Sequence, residues 1–94
     1  MIKFIHTQYN GDATSTYDIE FPEGMTIVEF ITQVRKENPK DWFGSFYISG
    51  FNSIGEYRND KVYINAKYAN LKPTKIWANG GWGAMSYFFY CEDE

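Results

Sequence analysis

Cys91 and His6 are the residues of this chain that could form a nucleophile with its base, since the sequence holds one cysteine and one histidine. An adjacent histidine can hold a thiol as a reactive thiolate. Neither residue has a nearby group that would orient the histidine or an oxyanion loop. Because cysteine is usually a small buried hydrophobe, we interpret Cys91 as structural and predict that the protein is not an enzyme.

The other chemistry-bearing residue types lack the spacing that a reaction needs. One histidine and one cysteine do not supply the usual zinc ligand set. Asp18 and Glu20 alternate with apolar residues, which is typical of the solvated face of a strand rather than of paired catalytic carboxylates. Residues 80–83 lack both the spacing and the Lys-Ser/Thr pair of a phosphate-binding loop. The sequence therefore predicts neither a metal nor a cofactor.

The segment 76–87 is the most unusual part of the chain, with two tryptophans, three glycines and a methionine. Tryptophan and methionine are enriched at the centres of protein interfaces. We predict that this segment binds a partner through Trp77, Asn79, Trp82, Met85 and Tyr87. Two alternatives stay open. One tryptophan closes the core while the glycines form a bulge or turn, or the tryptophans and Tyr87 form a sugar-stacking platform with the Asn79 amide beside it.

Length and composition predict a single folded domain spanning residues 1–94. Hydrophobic residues make up 44% and aromatics 20% of the chain, which argues against disorder. A core of this size cannot hold all of the large side chains, so some must lie on the surface. A symmetric homodimer is one arrangement that would cover them.

The charge and the apolar pattern restrict the partners and the compartment. The net charge is −3, with 9 basic against 12 acidic residues, whereas nucleic-acid binding depends on Lys and Arg meeting phosphates. A lone cysteine excludes an internal disulfide and fits a reducing compartment. No apolar run approaches the roughly 20 residues of a membrane span, and the start is too short for a signal peptide. We predict a cytoplasmic protein without nucleic-acid or membrane partners.

The first half of the chain predicts a hairpin followed by a helix. Residues 1–8 form a strand, 9–12 form the turn because Asn-Gly tolerates positive φ, and 16–21 alternate apolar and polar residues as a second strand. Thr26 and Glu29 form a capping box at the start of the helix. Asn38-Pro39 ends it, because the residue before proline avoids helical angles.

The second half predicts mostly strands. Residues 42–49 and 61–65 form strands, 51–58 are ambiguous, 68–74 form a loop with room for a helical turn, and 75–78 form a short strand. Residues 79–83 form a turn or loop before the final strand 84–92. Both faces of that last strand carry aromatics, which favours a central strand that is buried on both sides or has its outer face covered. The alternative is an exposed aromatic stripe that binds a partner.

The order of these elements resembles the ubiquitin-like β-grasp over the first half of the chain. The resemblance rests on Met1-Ile2-Lys3-Phe4-Ile5, Asn10-Gly11, Tyr17-Asp18-Ile19-Glu20-Phe21 and Met25-Thr26-Ile27-Val28-Glu29-Phe30. It implies a mixed sheet crossed by the helix, with the first and last strands central and parallel, and therefore with His6 near Cys91. The family's functional tail ends in Gly-Gly, whereas this chain ends in Cys91-Glu92-Asp93-Glu94, so a conjugation or sulfur-carrier role does not carry over.

The sequence thus predicts an α+β, β-grasp-like domain with one main helix on a mixed sheet. The alternative architecture is an α+β roll of the same elements with a different strand order. We predict a non-enzymatic protein-interaction module, such as a small adaptor or inhibitor, that binds a protein through the aromatic segment and the adjacent strand. An acidic domain suits a basic partner surface. The alternative is a small-molecule or carbohydrate-binding domain that uses the same segment.

Overall fold

The computed structural model of the chain describes residues 2–11, 14–37, 43–59, 61–81 and 84–92. These residues form one mixed sheet with a main helix and a short helical turn. The elements are β1 (Lys3–Gly11), β2 (Thr14–Glu20), α1 (Ile27–Glu37), β3 (Phe43–Ile48), β4 (Asn52–Arg58), β5 (Lys61–Ile64), α2 (Ala66–Ala69), β6 (Lys75–Gly81) and β7 (Ala84–Tyr90).

The seven described strands lie in the order β1-β2-β6-β7-β3-β4-β5. The last strand, β7, is central, with β6 antiparallel on one side and β3 parallel on the other. The other described neighbours are antiparallel. The predicted α+β class with a mixed sheet is therefore confirmed, and so is the central position of the final strand.

The first strand lies at an edge of the sheet, contrary to what the β-grasp resemblance implied. β2 and β6 stand between β1 and β7, so the expectation that the first and last strands are parallel neighbours is wrong. The physical reason is the tight β6–β7 hairpin, in which Gly81 pairs with Ala84. This hairpin occupies the edge of β7 that the first strand would need.

Helix α1 starts where the capping box predicts. The backbone N–H of Thr26 donates to Glu29 Oε1 at 2.8 Å, and the Glu29 N–H donates to Thr26 Oγ1 at 3.2 Å. These two bonds satisfy amides that have no partner inside the helix. The Ile27 N–H is satisfied from outside, by the carbonyl oxygen of Leu71 at 2.9 Å. The helix is therefore tied at its first turn to the segment that leads into β6.

One face of the sheet, here called the helix face, packs against α1. The helix buries Ile27, Phe30, Ile31 and Val34. The Phe30 ring meets Tyr87 and Phe89 of β7 edge-to-face, with ring centroids 5.7 Å and 5.5 Å apart. Such pairs add to the stabilisation that comes from burying apolar area. The apolar side chains that recur about every 3.6 residues along α1 thus pack against side chains that recur every second residue on the same face of β7.

The glycine-rich turn predicted over residues 79–83 is strand at its first three residues, so that part of the prediction is wrong, and residues 82 and 83 lie outside the described part of the chain. Asn79, Gly80 and Gly81 continue β6 and pair with Ser86, Met85 and Ala84. The backbone groups of this segment bond across the ladder, which overrides the local turn preference of Asn and Gly.

The first hairpin differs from its predicted form in the same way. β1 runs through Asn10 to Gly11, and β2 begins at Thr14. The turn predicted at residues 9–12 is therefore strand up to residue 11. Of the segments that the sequence left undecided, residues 52–58 form strand β4, and the helical turn is α2. The Asn65 side chain caps α2 by accepting a hydrogen bond from the Lys67 N–H at 2.9 Å.

Neither described helix is long and apolar enough to cross a membrane.

Candidate functional site

The second face of the sheet, here called the open face, carries no described helix. Residues that pair across antiparallel or parallel strands share a face of the sheet. The pairs Trp77↔Phe88 and Phe88↔Tyr47 therefore place three aromatic side chains next to one another on this face, on the central strands β6, β7 and β3. Together with Phe51 they form what we call the aromatic row.

The rings of the aromatic row are stacked. Trp77 and Phe88 have ring centroids 4.1 Å apart and planes inclined by 10°, and Tyr47 and Phe88 are 5.1 Å apart at 16°. Phe88 therefore has a ring against each of its two faces. Although it lies on the helix-free side of the sheet, Phe88 is only 5% exposed. The row is a packed structure of its own, a second small core outside the one beneath α1.

This stacking decides which surface the row offers to a ligand. Since both faces of Phe88 are covered, the central ring of the row offers no flat face to a ligand. Phe51 stands edge-to-face against both rings, with its centroid 6.0 Å from that of Tyr47 and 5.6 Å from that of Phe88. The two outer rings of the stack, Trp77 and Tyr47, each have one described stacked partner, so each keeps one face unstacked. For the Trp77 indole this is the face directed away from β7 and towards β2. Its orientation is fixed by Nε1–H, which donates to the Tyr90 hydroxyl at 3.1 Å.

Phe51 is the most exposed large hydrophobic residue of the described part of the chain, at 82%. It follows Ser49 and Gly50 in the turn between β3 and β4, and both have positive φ, 50° and 97°. Gly50 suits that conformation because it lacks a Cβ. The turn is held further by the Ser49 N–H, which donates to the carbonyl oxygen of Phe89 at 3.2 Å. Phe51 is thus an exposed aromatic side chain on a defined backbone.

A polar row runs beside the aromatic row, one step further along the strands. Thr16, Asn79, Ser86 and Ser45 lie on neighbouring strands of the open face. Thr16 Oγ1 accepts bonds from two side-chain amides, Asn79 at 3.1 Å and Asn10 at 2.9 Å. The open face therefore combines an apolar row with half-buried amides and hydroxyls, as the centre and rim of a protein interface do.

The structure divides the predicted contact residues between the two faces. Trp77 and Asn79 lie half-buried on the open face. Met85 and Tyr87 lie on the opposite, helix face, where Tyr87 is only 4% exposed and packs against Phe30. Tyr87 is therefore part of the core in this structure, and its predicted contact with a partner stays untested. Trp82 lies outside the described residues.

His6 and Cys91 are not brought together. His6 is on the edge strand β1, and Cys91 follows the central strand β7, three strands away. At the spacing of neighbouring strands this is at least about 14 Å. The proximity that the β-grasp resemblance implied is therefore wrong. Among the described residues, no group of three or more His, Cys, Asp and Glu side chains is placed to hold a metal ion.

The sequence prediction missed three members of the aromatic row. Tyr47, Phe51 and Phe88 were assigned to a strand, an ambiguous segment and a buried strand face. A signal was present in Ser49-Gly50-Phe51, where a turn is followed at once by a large apolar residue. The stacking itself depends on β3 lying beside β7, which no local pattern indicates.

Comparison of the chain with protein-family models, with curated proteins and with solved structures found no match.

Proposed function

We propose that this protein is a non-enzymatic interaction module that binds a protein partner on its open face. The observation that carries the proposal is the aromatic row, a stack of Trp77, Phe88 and Tyr47 with the exposed Phe51 packed edge-to-face against Phe88 and Tyr47. Exposed aromatics on a fixed backbone lose little entropy on binding and dominate interface energies. The polar row beside the stack supplies donors and acceptors for the rim of such an interface.

The ring geometry favours a protein over a sugar as the ligand. A sugar or another flat ligand stacks on exposed ring faces, whereas Phe88 at the centre of the row has both faces covered and the exposed Phe51 stands edge-to-face against it. A protein surface can contact ring edges and receive Phe51 in an apolar pocket. A carbohydrate or small-molecule site is the alternative, and it would use the uncovered face of Trp77 with the Asn79 amide beside it.

A small adaptor or an inhibitor of a larger protein would use such a face in the same way. The likeness to the β-grasp fold stays a prediction, and the proposed function does not depend on it because fold alone does not determine function. A homodimer is the special case in which the partner is a second copy of this chain, so that the open face is buried against itself.

The test compares two exposed aromatic side chains on different parts of the surface. Phe51→Ser alters the open face, and Tyr9→Ser is the matched control, since Tyr9 is 67% exposed on the edge strand β1. A partner is captured from the native host's lysate with the wild-type protein, purified, and titrated against wild type and both variants by calorimetry. Sedimentation of each protein alone shows whether a second copy is the partner.

We expect Phe51→Ser to weaken binding at least about tenfold, as truncation of a central anchor does, while Tyr9→Ser binds like wild type. Both variants should keep the wild-type circular dichroism spectrum. Equal affinity of wild type and Phe51→Ser would contradict the proposal, and so would failure to capture any protein that depends on Phe51.

A further inference from the structure

We propose that the open face holds an arginine side chain of its protein partner between the uncovered face of Trp77 and the carboxylate of Asp18. This inference rests on the proposed function and names the chemistry that the partner must present. It starts from the position of Asp18, which is the residue directly across from Trp77 on β2.

Asp18 is a carboxylate with apolar neighbours on both sides. Across the sheet it lies between Trp77 on β6 and Ile5 on β1, and Ile5 is 37% exposed. Asp18 is itself exposed and makes no ion pair with a described residue. By contrast, Glu20 on the same strand has Lys3 as its cross-strand partner, and Glu56 is 3.5 Å from Arg58. Of these carboxylates, Asp18 is the one that stands directly across from Trp77.

Trp77 supplies the second half of the site. Phe88 covers one face of the indole, and β6 has β2 as its other neighbour, so the uncovered face is directed towards Asp18. The bond from Nε1–H to Tyr90 and the stacking on Phe88 hold the indole in this orientation before any ligand binds. Tryptophan is the best ring for a cation–π contact. The site is therefore preorganised for a cation that is also flat.

Arginine fits this pair of groups better than lysine does. Its guanidinium is planar and weakly hydrated, so it can stack on the indole while its N–H groups reach a carboxylate at the edge of the ring. An ammonium is a compact and strongly hydrated charge that gains less from stacking. The net charge of −3 on the whole chain also favours the approach of a basic partner surface.

The first test uses a free probe and does not need the partner. N-acetyl-arginine amide is titrated into ¹⁵N-labelled protein at constant ionic strength, with the lysine and the neutral citrulline analogues as comparisons. We expect the arginine probe to shift the Trp77 indole N–H and the Asp18 amide signals, and the citrulline probe to leave them unchanged. Asp18→Asn should weaken the binding of the arginine probe about two- to fivefold, the range for an exposed ion pair. Glu56→Gln is the matched control and should change nothing.

A second test attaches the guanidinium to the protein, so that weak affinity of the free probe does not decide the outcome. Ile5→Arg places the cation beside Asp18 in the register of the sheet, where its effective concentration is high. We expect the Trp77 indole signal to shift in Ile5→Arg but not in Ile5→Gln. Asp18→Asn is then added to each of these two variants, and the equilibrium constant for unfolding is measured. We expect the substitution to raise this constant about two- to fivefold more in Ile5→Arg than in Ile5→Gln.

The inference is overturned if Ile5→Arg leaves the indole signal unchanged and shows no excess dependence on Asp18. Equal shifts with the arginine, lysine and citrulline probes would also overturn it, because they would show no recognition of a guanidinium. Such failures would leave the Phe51-dependent interface intact, since that interface is measured separately with the captured partner. If Phe51→Ser bound the partner as tightly as wild type while the arginine tests succeeded, the proposed protein interface would be refuted and the guanidinium site at Trp77 and Asp18 would be retained.

Discussion

The structure makes an uncommon prediction for Phe88, namely that a residue on the helix-free face of a sheet stabilises the protein as a core residue does. Phe88 is 5% exposed because it lies between Trp77 and Tyr47. Full burial of a phenylalanine contributes about 1.5–3 kcal/mol, and each stacked pair adds about 0.5–1.5 kcal/mol. Phe88→Ala should therefore lower the free energy of unfolding by about 3–5 kcal/mol, the usual range for a core phenylalanine.

Two further alanine variants calibrate this value. Phe51 belongs to the same row but is 82% exposed, so Phe51→Ala should cost about 1 kcal/mol, mainly from its ring contacts. Phe89 neighbours Phe88 in sequence, lies on the helix face and is 0% exposed, so Phe89→Ala should cost about 3–5 kcal/mol. The order of stability should therefore be wild type, then Phe51→Ala, then the other two variants together.

Urea unfolding followed by far-UV circular dichroism measures the free energy of unfolding of all three variants. The dependence of that free energy on urea concentration should have the same slope in each variant. For a domain of this size, about 4–8 °C is lost per kcal/mol, so Phe88→Ala should melt at least about 12 °C below wild type. A Phe88→Ala variant no less stable than Phe51→Ala would refute the reasoning. It would show that the aromatic row is not packed as a second core, and the rigid platform assumed for partner binding would be lost with it.

The remaining predictions concern the elements that hold the two faces in place. Gly80→Ala should cost about 1–3 kcal/mol, because an added Cβ would clash with the carbonyl oxygen of Ala84 across the β6–β7 hairpin; a melting temperature equal to that of wild type would contradict this close approach. Phe30→Ala should cost about 3–5 kcal/mol in a urea titration, since Phe30 is fully buried under the sheet, and a loss below about 1 kcal/mol would count against the helix packing. Thr26→Ala should cost about 1 kcal/mol through loss of the cap, again by urea unfolding, and no loss would argue against the capping box. The backbone N–H of Thr26 and its side chain lower the pKa of Glu29 from its ordinary value of 4.5. The ionised Glu29 therefore contributes stability above pH 4.5, and this contribution is lost as the pH falls through the lowered pKa. The stability of Glu29→Gln should decline less with acid than that of wild type, and parallel declines would contradict the assignment.

The sequence by itself determined the elements whose signals are local. The capping box of Thr26 and Glu29 placed the start of α1, because both partners lie within one turn of each other. The apolar repeat placed the buried face of the helix for the same reason. The density of aromatics on both faces of the last strand indicated a central position, and β7 is central.

The sequence also drew attention to the segment that contains Trp77 and Asn79, and both residues lie on the open face. It could not separate them from Tyr87, since a strand of alternating aromatics does not indicate which face the helix covers. Tyr87 is buried under α1, whereas Phe88, one residue later, joins the aromatic row. A shift of one residue along a strand changes the face, and only the packing of the helix fixes which face is which.

The tertiary structure alone decided which distant segments meet. The aromatic row needs β3 beside β7, and the Asp18–Trp77 pair needs β2 beside β6. These pairings join residues that are far apart in the chain, and their choice depends on the competition among all strands for the same edges. The position of β1 shows that competition, because the β6–β7 hairpin takes the place that the resemblance gave to the first strand. Local patterns report what a segment prefers, but which segments become neighbours depends on the whole sheet.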